Sequence, residues 1–418
     1  MGEFVVRGGK RLNGTVRING AKNAALPILA ATVLATEPVI LHDVPDLRDI
    51  HVMIAVLRSL GMTVEKAGRD VFVDPRTLNS YVVPAELMQE MRASIFLLGP
   101  LLAKLGAAEA TQPGGCAIGD RPIDLHLYGL TSLGATVHDE GGRTVLRAKK
   151  LVGNEVHFPF PSVGATENVL MAAALAEGET RIRNAAMEPE IVDLAQFLER
   201  LGATVRGAGT PDIRISGASM LKGAEHTVIG DRIEAATFVL STAAVGGDIT
   251  VKNCLVDHLP GLWGRLQDIG VMVEEIDADT VHIVSEGRFK PIPVSVATAP
   301  YPGFATDCQP QFMSFLLAVP GVHLVTERVF ENRLGHAAQL RRMGAQIIAD
   351  QRVALIYGGH PLHGAYVTAP DLRAGAALVI GALKAEGESV IAGREIIERG
   401  YEQLDVRLSA LGASIQAR

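Results

Sequence analysis

The residues in this chain of 418 that could do chemistry are a few thiols, acids and cations set beside turn-forming or apolar runs. The stretch 113-PGGCAIGDRP-122 puts Cys116 among Gly114, Gly115 and Gly119. That composition reads as a loop, because glycine permits backbone dihedrals that other residues avoid. A thiol becomes reactive when nearby positive charge favours its thiolate, and Arg121 is close in sequence. Closeness in sequence is not contact, and by itself the stretch better fits an inert cysteine in a turn, as most single cysteines are. Lys22 directly precedes the apolar run 24-AALPILAATVLA-35. It would stand at a helix N-terminus, where the backbone favours anions. Asp371 and Arg373 sit at the mouth of a second such run, as an anion site or as a structural ion pair. Asp307, just before a third, suits a helix N-cap.

The totals bound what these residues can serve. Hydrophobic residues make up 48% and charged residues 20%, which excludes a disordered chain. Aromatics are 5% and Gly numbers 44, so the cores should be aliphatic and the turns many. A net charge of -7 and a pI near 6.0 leave no basic nucleic-acid footprint. The three cysteines, Cys116, Cys254 and Cys308, suit neither zinc nor a disulfide framework, and a reducing cytoplasm is the expected compartment. The first residues, MGEFVVRGGK, lack an apolar signal core, and Val6 stands where myristoylation wants Ser or Thr. The apolar runs are too short to span a bilayer.

One phrase recurs: 57-LRSLGMTVE-65, 130-LTSLGATVH-138, 198-LERLGATVR-206, 266-LQDIGVMVE-274, 340-LRRMGAQII-348 and 408-LSALGASIQ-416. Its glycines, Gly61, Gly134, Gly202, Gly270, Gly344 and Gly412, are 73, 68, 68, 74 and 68 residues apart. Each phrase reads as a helix end, a left-handed Gly and then a strand. Upstream of each lies a segment apolar nearly all round, such as 168-NVLMAAALAEG-178 or 374-AGAALVIGALKAEG-387, which must be a buried helix. The unit is therefore strand, buried helix, strand, exposed helix, strand. A buried helix needs apolar cover on every side. Three units that pack their buried helices together, with sheets outside, supply it, and six units make two such domains. A solenoid is the competing arrangement, although solenoid units are more often 20 to 50 residues long.

Read in order, 20-GAKNAALPI-28, 90-EMRASI-95, 113-PGGCAIGDRPIDLH-126, 162-SVGATEN-168, 231-DRIE-234, 298-TAPYPGFATD-307, 329-VFENR-333, 371-DLRA-374 and 399-RGYE-402 closely resemble the enolpyruvyl transferases. The resemblance runs the length of the chain. It implies an α/β fold of two domains, each an inside-out α/β barrel of three repeated units with buried helices and outer sheets. The implied domains are 22–229, and 1–21 with 230–418, with the active site in the cleft between them; the repeats alone would cut once, near 217. The implied reaction moves the enolpyruvyl group of phosphoenolpyruvate to the 3'-hydroxyl of UDP-N-acetylglucosamine, the first committed step of peptidoglycan synthesis and so of cell-wall growth and division. No metal or organic cofactor is demanded. The shikimate branch, 5-enolpyruvylshikimate-3-phosphate synthase, shares the architecture but lacks the cysteine loop and SVGATEN. A paralogue that binds nucleotide sugar without turnover is a further alternative, against which the intact set Lys22, Cys116, Arg121, Asp307 and Arg399 argues.

The resemblance also assigns roles. Lys22, Arg121 and Arg399 would meet the phosphoenolpyruvate anion, with Asn23 beside Lys22, and Arg92 would lie toward the UDP end. Arg333 and Arg373 complete the cations. Cys116 would protonate carbon 3 of the enol, and it is the thiol that fosfomycin alkylates in this family. Asp307 would orient the sugar hydroxyl and accept its proton. Arg121, Pro122, Ile123, Asp124, Leu125, Ser162, Val163 and Gly164 would hold the nucleotide sugar, with Asp307 and Val329 against the sugar. His126 matches a family histidine near the active centre, although a packing role fits as well. Phe160 stands where the family often has Lys, and Cys308 where it often has Met. Cys254 reads as packing.

Overall fold

The computed structural model describes residues 2–84, 86–87, 92–111, 123–140 and 143–418, with backbone alone at 92–94, 110 and 111. They fall into two compact units. One comprises the described residues of Gly20–Gly115 and Arg121–Ile229, and the other those of Met1–Asn19 with Gly230–Arg418.

Among the described residues, each unit carries three sheets. In the first, the strand orders are Glu225–Thr227, Val39–His42, Asp70–Asp74, Thr63–Ala67; Ala107–Thr111, Arg143–Arg147, Thr136–Asp139; and Thr204–Arg206, Asp212–Ser216, Glu179–Arg183, Glu155–His157. In the second they are Met272–Asp277, Thr280–Ser285, Gly247–Lys252, Leu12–Arg17; Ser295–Ala297, Gly321–Thr326, Val353–Gly358, Gln346–Asp350; and Tyr366–Thr368, Glu388–Ala392, Glu3–Arg7, Ser414–Ala417. The edge strand before a buried helix pairs parallel with the strand after it in Glu155–His157 with Glu179–Arg183, Ser295–Ala297 with Gly321–Thr326 and Tyr366–Thr368 with Glu388–Ala392. Around the helices Lys22–Ala31 and Arg232–Val245 the partners are exchanged, Leu12–Arg17 pairing with Gly247–Lys252 and Glu225–Thr227 with Val39–His42. Ser414–Ala417 pairs antiparallel with Glu3–Arg7, but in most units the single strand expected after the exposed helix is in fact an antiparallel hairpin, as in Thr63–Ala67 with Asp70–Asp74. Its return strand lies inside the sheet and joins the hairpin to the parallel pair.

All six phrase glycines have left-handed φ, between 90° and 119°. This conformation closes a helix without the clash a Cβ would bring. Around it runs a device the spacing does not announce. The residue three before the glycine donates a side-chain hydrogen bond to the carbonyl three after it: Arg58 to Val64, Gln267 to Val273, Arg341 to Ile347 and Ser409 to Ile415. Each bond ties an exposed helix to the edge strand that follows and occupies a carbonyl on an otherwise open edge.

The buried helices are Lys22–Ala31, Leu98–Leu105 and Val163–Ala173 in the first unit. In the second they are Arg232–Val245, Gln309–Leu316 and Leu372–Lys384, which pack on one another in all three pairings. Most of them begin a few residues before their apolar runs. These extra residues and the first positions of the runs hold buried polar side chains: Lys22, Glu167 and Asn168, Glu234, Gln309 and Gln311, and Arg373.

Among the described residues, the two places where the chain passes from one unit to the other share a local design. A Cβ on Gly20 would lie 1.8 Å from the Asp43 carbonyl oxygen, and one on Gly230 would lie 2.1 Å from that of Asn253. Both partners have left-handed φ, 57° in each case. Only glycine lets the chain pass so close.

Candidate active site

In the second unit, the polar centre is Asp307. It lies in the short turn Thr306–Cys308, immediately before the helix Gln309–Leu316. Its Oδ1 accepts from Arg333 Nη2 at 2.8 Å and its Oδ2 from Arg373 Nε at 3.2 Å. Both arginines are buried, 2% and 1% exposed, while the Asp307 side chain keeps 27% of its surface. The carboxylate is thus the accessible member of a buried ionic cluster. Each of its oxygens accepts from one buried guanidinium. Burial opposes the charge on Arg373, but Tyr401, Asp307 and Asp231 outweigh it and hold the guanidinium above its ordinary value. Tyr401 lies beneath it, with ring centroid 5.3 Å from the guanidinium carbon, and is fixed by Thr237 and Gln311 through its hydroxyl.

The N-cap of Gln309–Leu316 is Cys308 rather than Asp307, and it makes no side-chain cap bond. Asp371 and Arg373 do not form a side-chain ion pair with each other either. Asp371 Oδ1 caps the helix Leu372–Lys384 by accepting from the amides of Arg373 and Ala374, while the Arg373 side chain reaches across to Asp307.

Behind Asp307 sits Glu327, 1% exposed. Its Oε1 accepts from Thr298 Oγ1 and from the amides of Val329 and Phe330, and its Oε2 from Thr306 Oγ1. One carboxylate thereby fixes the segment ending at Asp307 and the turn that presents Val329. Cys308 is buried, and burial pushes its thiol up to about 12, so it is a protonated packing group. Cys254 is buried likewise and also pushed up to about 12. Arg399 is half-buried and precedes Gly400, where a Cβ would lie 2.3 Å from Leu372 and 3.5 Å from Arg373 Nη1.

In the first unit, Lys22 opens its helix as the sequence implied, and its side chain is 9% exposed. Its Nζ lies 3.3 Å from Asp49 Oδ2, on the first turn of the helix Arg48–Ser59. Asn23, next to it, is half-buried. Ser162 caps the helix Val163–Ala173, its Oγ accepting from the Ala165 amide at 3.4 Å. Val163 and Gly164 form the first turn of that helix. His126 is 9% exposed on the helix Asp124–Ser132. Its Nδ1 is 2.9 Å from Asn168 Nδ2, and a Cβ on Gly164 would lie 3.0 Å from its Cε1. Asp124 is exposed at the start of this helix, and Ile123 and Leu125 pack partly against the core. Phe160 is 44% exposed, and its carbonyl accepts from the Ser162 amide.

The family model for EPSP synthase (3-phosphoshikimate 1-carboxyvinyltransferase) matches residues 6–408. Curated relatives divide that family more finely. The UDP-N-acetylglucosamine 1-carboxyvinyltransferase of Finegoldia magna is 48% identical over 97% of this chain and 96% of its own. That of Xylella fastidiosa is 47% identical over 100% and 99%. The chain belongs to the UDP-N-acetylglucosamine 1-carboxyvinyltransferase family. Among solved structures, the enolpyruvyl transferase NikO from Streptomyces tendae superposes with a TM-score of 0.90, at 26% identity over 100% of this chain and 98% of its own. An EPSP synthase from Acinetobacter baumannii reaches 0.76 at 18% identity over the whole of both chains, and shares the fold.

Of the residues the carboxyvinyltransferase resemblance singled out, Asp307, Arg333 and Arg373 come together in one unit. Ser162, Val163, Gly164 and His126 come together in the other. Cys116, Arg121 and Pro122 lie outside the described residues, as does the side chain of Arg92. Three participants escaped the sequence reading. Asp49 and Glu327 carried no local signal. Asn168 stood in plain view at the end of SVGATEN, but its partners Gly99 and His126 are 69 and 42 residues away.

Proposed function

We propose that this chain transfers the enolpyruvyl group of phosphoenolpyruvate to the 3'-hydroxyl of UDP-N-acetylglucosamine, releasing phosphate, as a cytoplasmic enzyme of peptidoglycan synthesis. The observation that carries this reading is identity of 47–49% along essentially the whole chain to relatives of that name from different bacteria. The Asp307 cluster supports it. The reaction bonds the sugar oxygen to carbon 2 of phosphoenolpyruvate while carbon 3 takes a proton. The tetrahedral intermediate then loses a carbon 3 proton as the carbon 2–phosphate bond breaks, and the double bond returns. A carboxylate fixed by two guanidiniums and partly exposed suits the first step, by orienting the hydroxyl and accepting its proton.

Residues of both units serve the reaction in this reading. Lys22, Asn23, Arg121 and Arg399 take the phosphoenolpyruvate anion, since a phosphate and a carboxylate in a small space need several cations. Cys116 is the acid for carbon 3, a role that comes from the resemblance. Arg92, Arg121 to Leu125, and Ser162 to Gly164 hold the nucleotide sugar, and Val329 meets the sugar ring. Arg333 and Arg373 hold Asp307 in place.

The test is phosphate release with phosphoenolpyruvate and either UDP-N-acetylglucosamine or shikimate 3-phosphate, with a fosfomycin arm. Turnover with the nucleotide sugar alone, abolished by fosfomycin, is expected. Turnover with shikimate 3-phosphate alone would overturn the assignment, and nucleotide-sugar binding without turnover would make the chain a sensor. Cys116→Asp should keep a useful part of the activity that Cys116→Ala loses, because a carboxylic acid can also donate the proton.

A further inference from the structure

Asn168 is fully buried, and each of its polar atoms has a partner. Its Oδ1 accepts from the backbone amide of Gly99 at 2.7 Å. A backbone amide can only donate, so this bond fixes which end of the side-chain amide is oxygen. The other end must then be the NH2 group. It lies 2.9 Å from His126 Nδ1, 3.2 Å from the Ile95 carbonyl oxygen and 3.4 Å from that of Gly164. Facing a donor, Nδ1 of a neutral imidazole serves as the acceptor, and the ring hydrogen resides on Nε2. That edge of the ring lies against the first turn of the helix Val163–Ala173, since a Cβ on Gly164 would be 3.3 Å from Nε2.

We infer that Asn168 is a positioning residue that locks His126 in the Nε2–H tautomer, so that the neutral ring presents a hydrogen-bond donor beside the amides of Val163 and Gly164. The ligand group it serves is an electron-rich oxygen of the nucleotide sugar, which rests on the function proposed above. The lock begins at a distance. Gly99 opens onto Asn168 because it has no side chain: a Cβ there would lie 2.3 Å from the Asn168 carbonyl oxygen. The same amide end also holds Ile95, in the turn Arg92–Leu97, so three segments take their register from one side chain.

Nitrogen-15 NMR of the histidine-labelled full chain reads the tautomer directly, with His126→Gln to assign the signal. The expected spectrum of the wild-type protein without substrate has a protonated Nε2 and an unprotonated Nδ1. Asn168→Asp keeps the side-chain shape and the bond from Gly99 but turns an acceptor toward the ring. Its His126 should switch to Nδ1–H. The KM for UDP-N-acetylglucosamine should then rise about tenfold, the loss of one hydrogen bond to the ligand, with the KM for phosphoenolpyruvate within about twofold of wild type. A wild-type Nδ1–H tautomer would overturn the inference even if the variant failed to fold. So would a switched tautomer with an unchanged KM. Absence of turnover in the wild-type chain would instead sink the proposed function, while leaving the tautomer measurement to stand or fall alone.

Discussion

The Asp307 cluster and the Asn168 cluster organise buried polarity by opposite means. Around Asp307, two buried guanidiniums face one carboxylate, and behind it a second buried carboxylate, Glu327, accepts four hydrogen bonds. Around Asn168, one neutral amide gives and receives all the bonds that matter. Charge makes a strong fixed field, but each ion depends on its partner, because an unpaired buried charge is very costly. An amide makes a weaker field, yet it is directional at both ends and can dictate which nitrogen of a neighbouring ring carries hydrogen. The first arrangement suits holding a reactive carboxylate, and the second suits choosing donors and acceptors.

The comparison breaks most readily at Asp307. Asp307→Ala removes the carboxylate that Arg333 and Arg373 both hydrogen-bond, leaving Arg333 the more distant Asp371 at 3.9 Å, and stability measured by denaturant should fall by about 3–5 kcal/mol. Turnover should fall further than nucleotide-sugar affinity, and an unchanged turnover number in phosphate release would remove Asp307 as the proton acceptor. Lys22→Met comes next. It leaves the largely buried Asp49 without this cation and should lower kcat/KM for phosphoenolpyruvate by about 10²–10³. Affinity for the nucleotide sugar, read by calorimetry, should change far less. Glu327→Gln tests whether the second carboxylate is needed as a charge or only as a shape. An amide nitrogen cannot accept, so at least one donor loses its partner, at a cost of about 1–3 kcal/mol in thermal or denaturant unfolding.

How much of this was legible differs between the two levels of structure. The six phrases could be read because Gly61 and its counterparts must take a conformation that few other residues tolerate, and a repeated constraint leaves a repeated letter. The buried helices could be read in their apolar parts but not at their starts. Arg373, Glu234 and Asn168 look like surface residues in a sequence and are buried only because partners arrive from elsewhere. Asp307 is the plainest case: its two arginines are 26 and 66 residues away, so the local sequence could propose a helix cap and nothing more. The hairpin after most of the exposed helices was missed because its return strand resembles the strand before it.

The smallest effect in the comparison concerns pH, and it has opposite signs in the two units. Glu167, in the first unit, is buried and faces Glu190 and Glu188, which raises its pKa well above the ordinary value. Its folded form therefore holds a proton that the unfolded chain releases above about 4.5, so it withdraws stability as pH rises from there. His336, in the second unit, is pushed down to about 4 by burial. The unfolded chain binds a proton below about 6.5 that the folded one refuses, so His336 withdraws stability as pH falls from 6.5 towards 4. Thermal melts across this range should show Glu167→Gln flattening the alkaline side of the stability profile, and His336→Asn the acid side. A profile unmoved on its own side by either variant would show that the group it replaces carries no such linkage.

The strands Glu3–Arg7 and Leu12–Arg17 have a consequence for the order of events during synthesis. Glu3–Arg7 is an interior strand between Glu388–Ala392 and Ser414–Ala417, and Leu12–Arg17 pairs with Gly247–Lys252. Both leave the ribosome before any of their partners exists. The unit built from Gly20 to Ile229 can be completed and fold in the interval, since domains fold as units as they emerge. The two early strands must wait through that interval as unpaired, β-prone chain. Their exposed time, set by translation speed, is where a chaperone would be needed most and where misassembly between neighbouring nascent chains would begin.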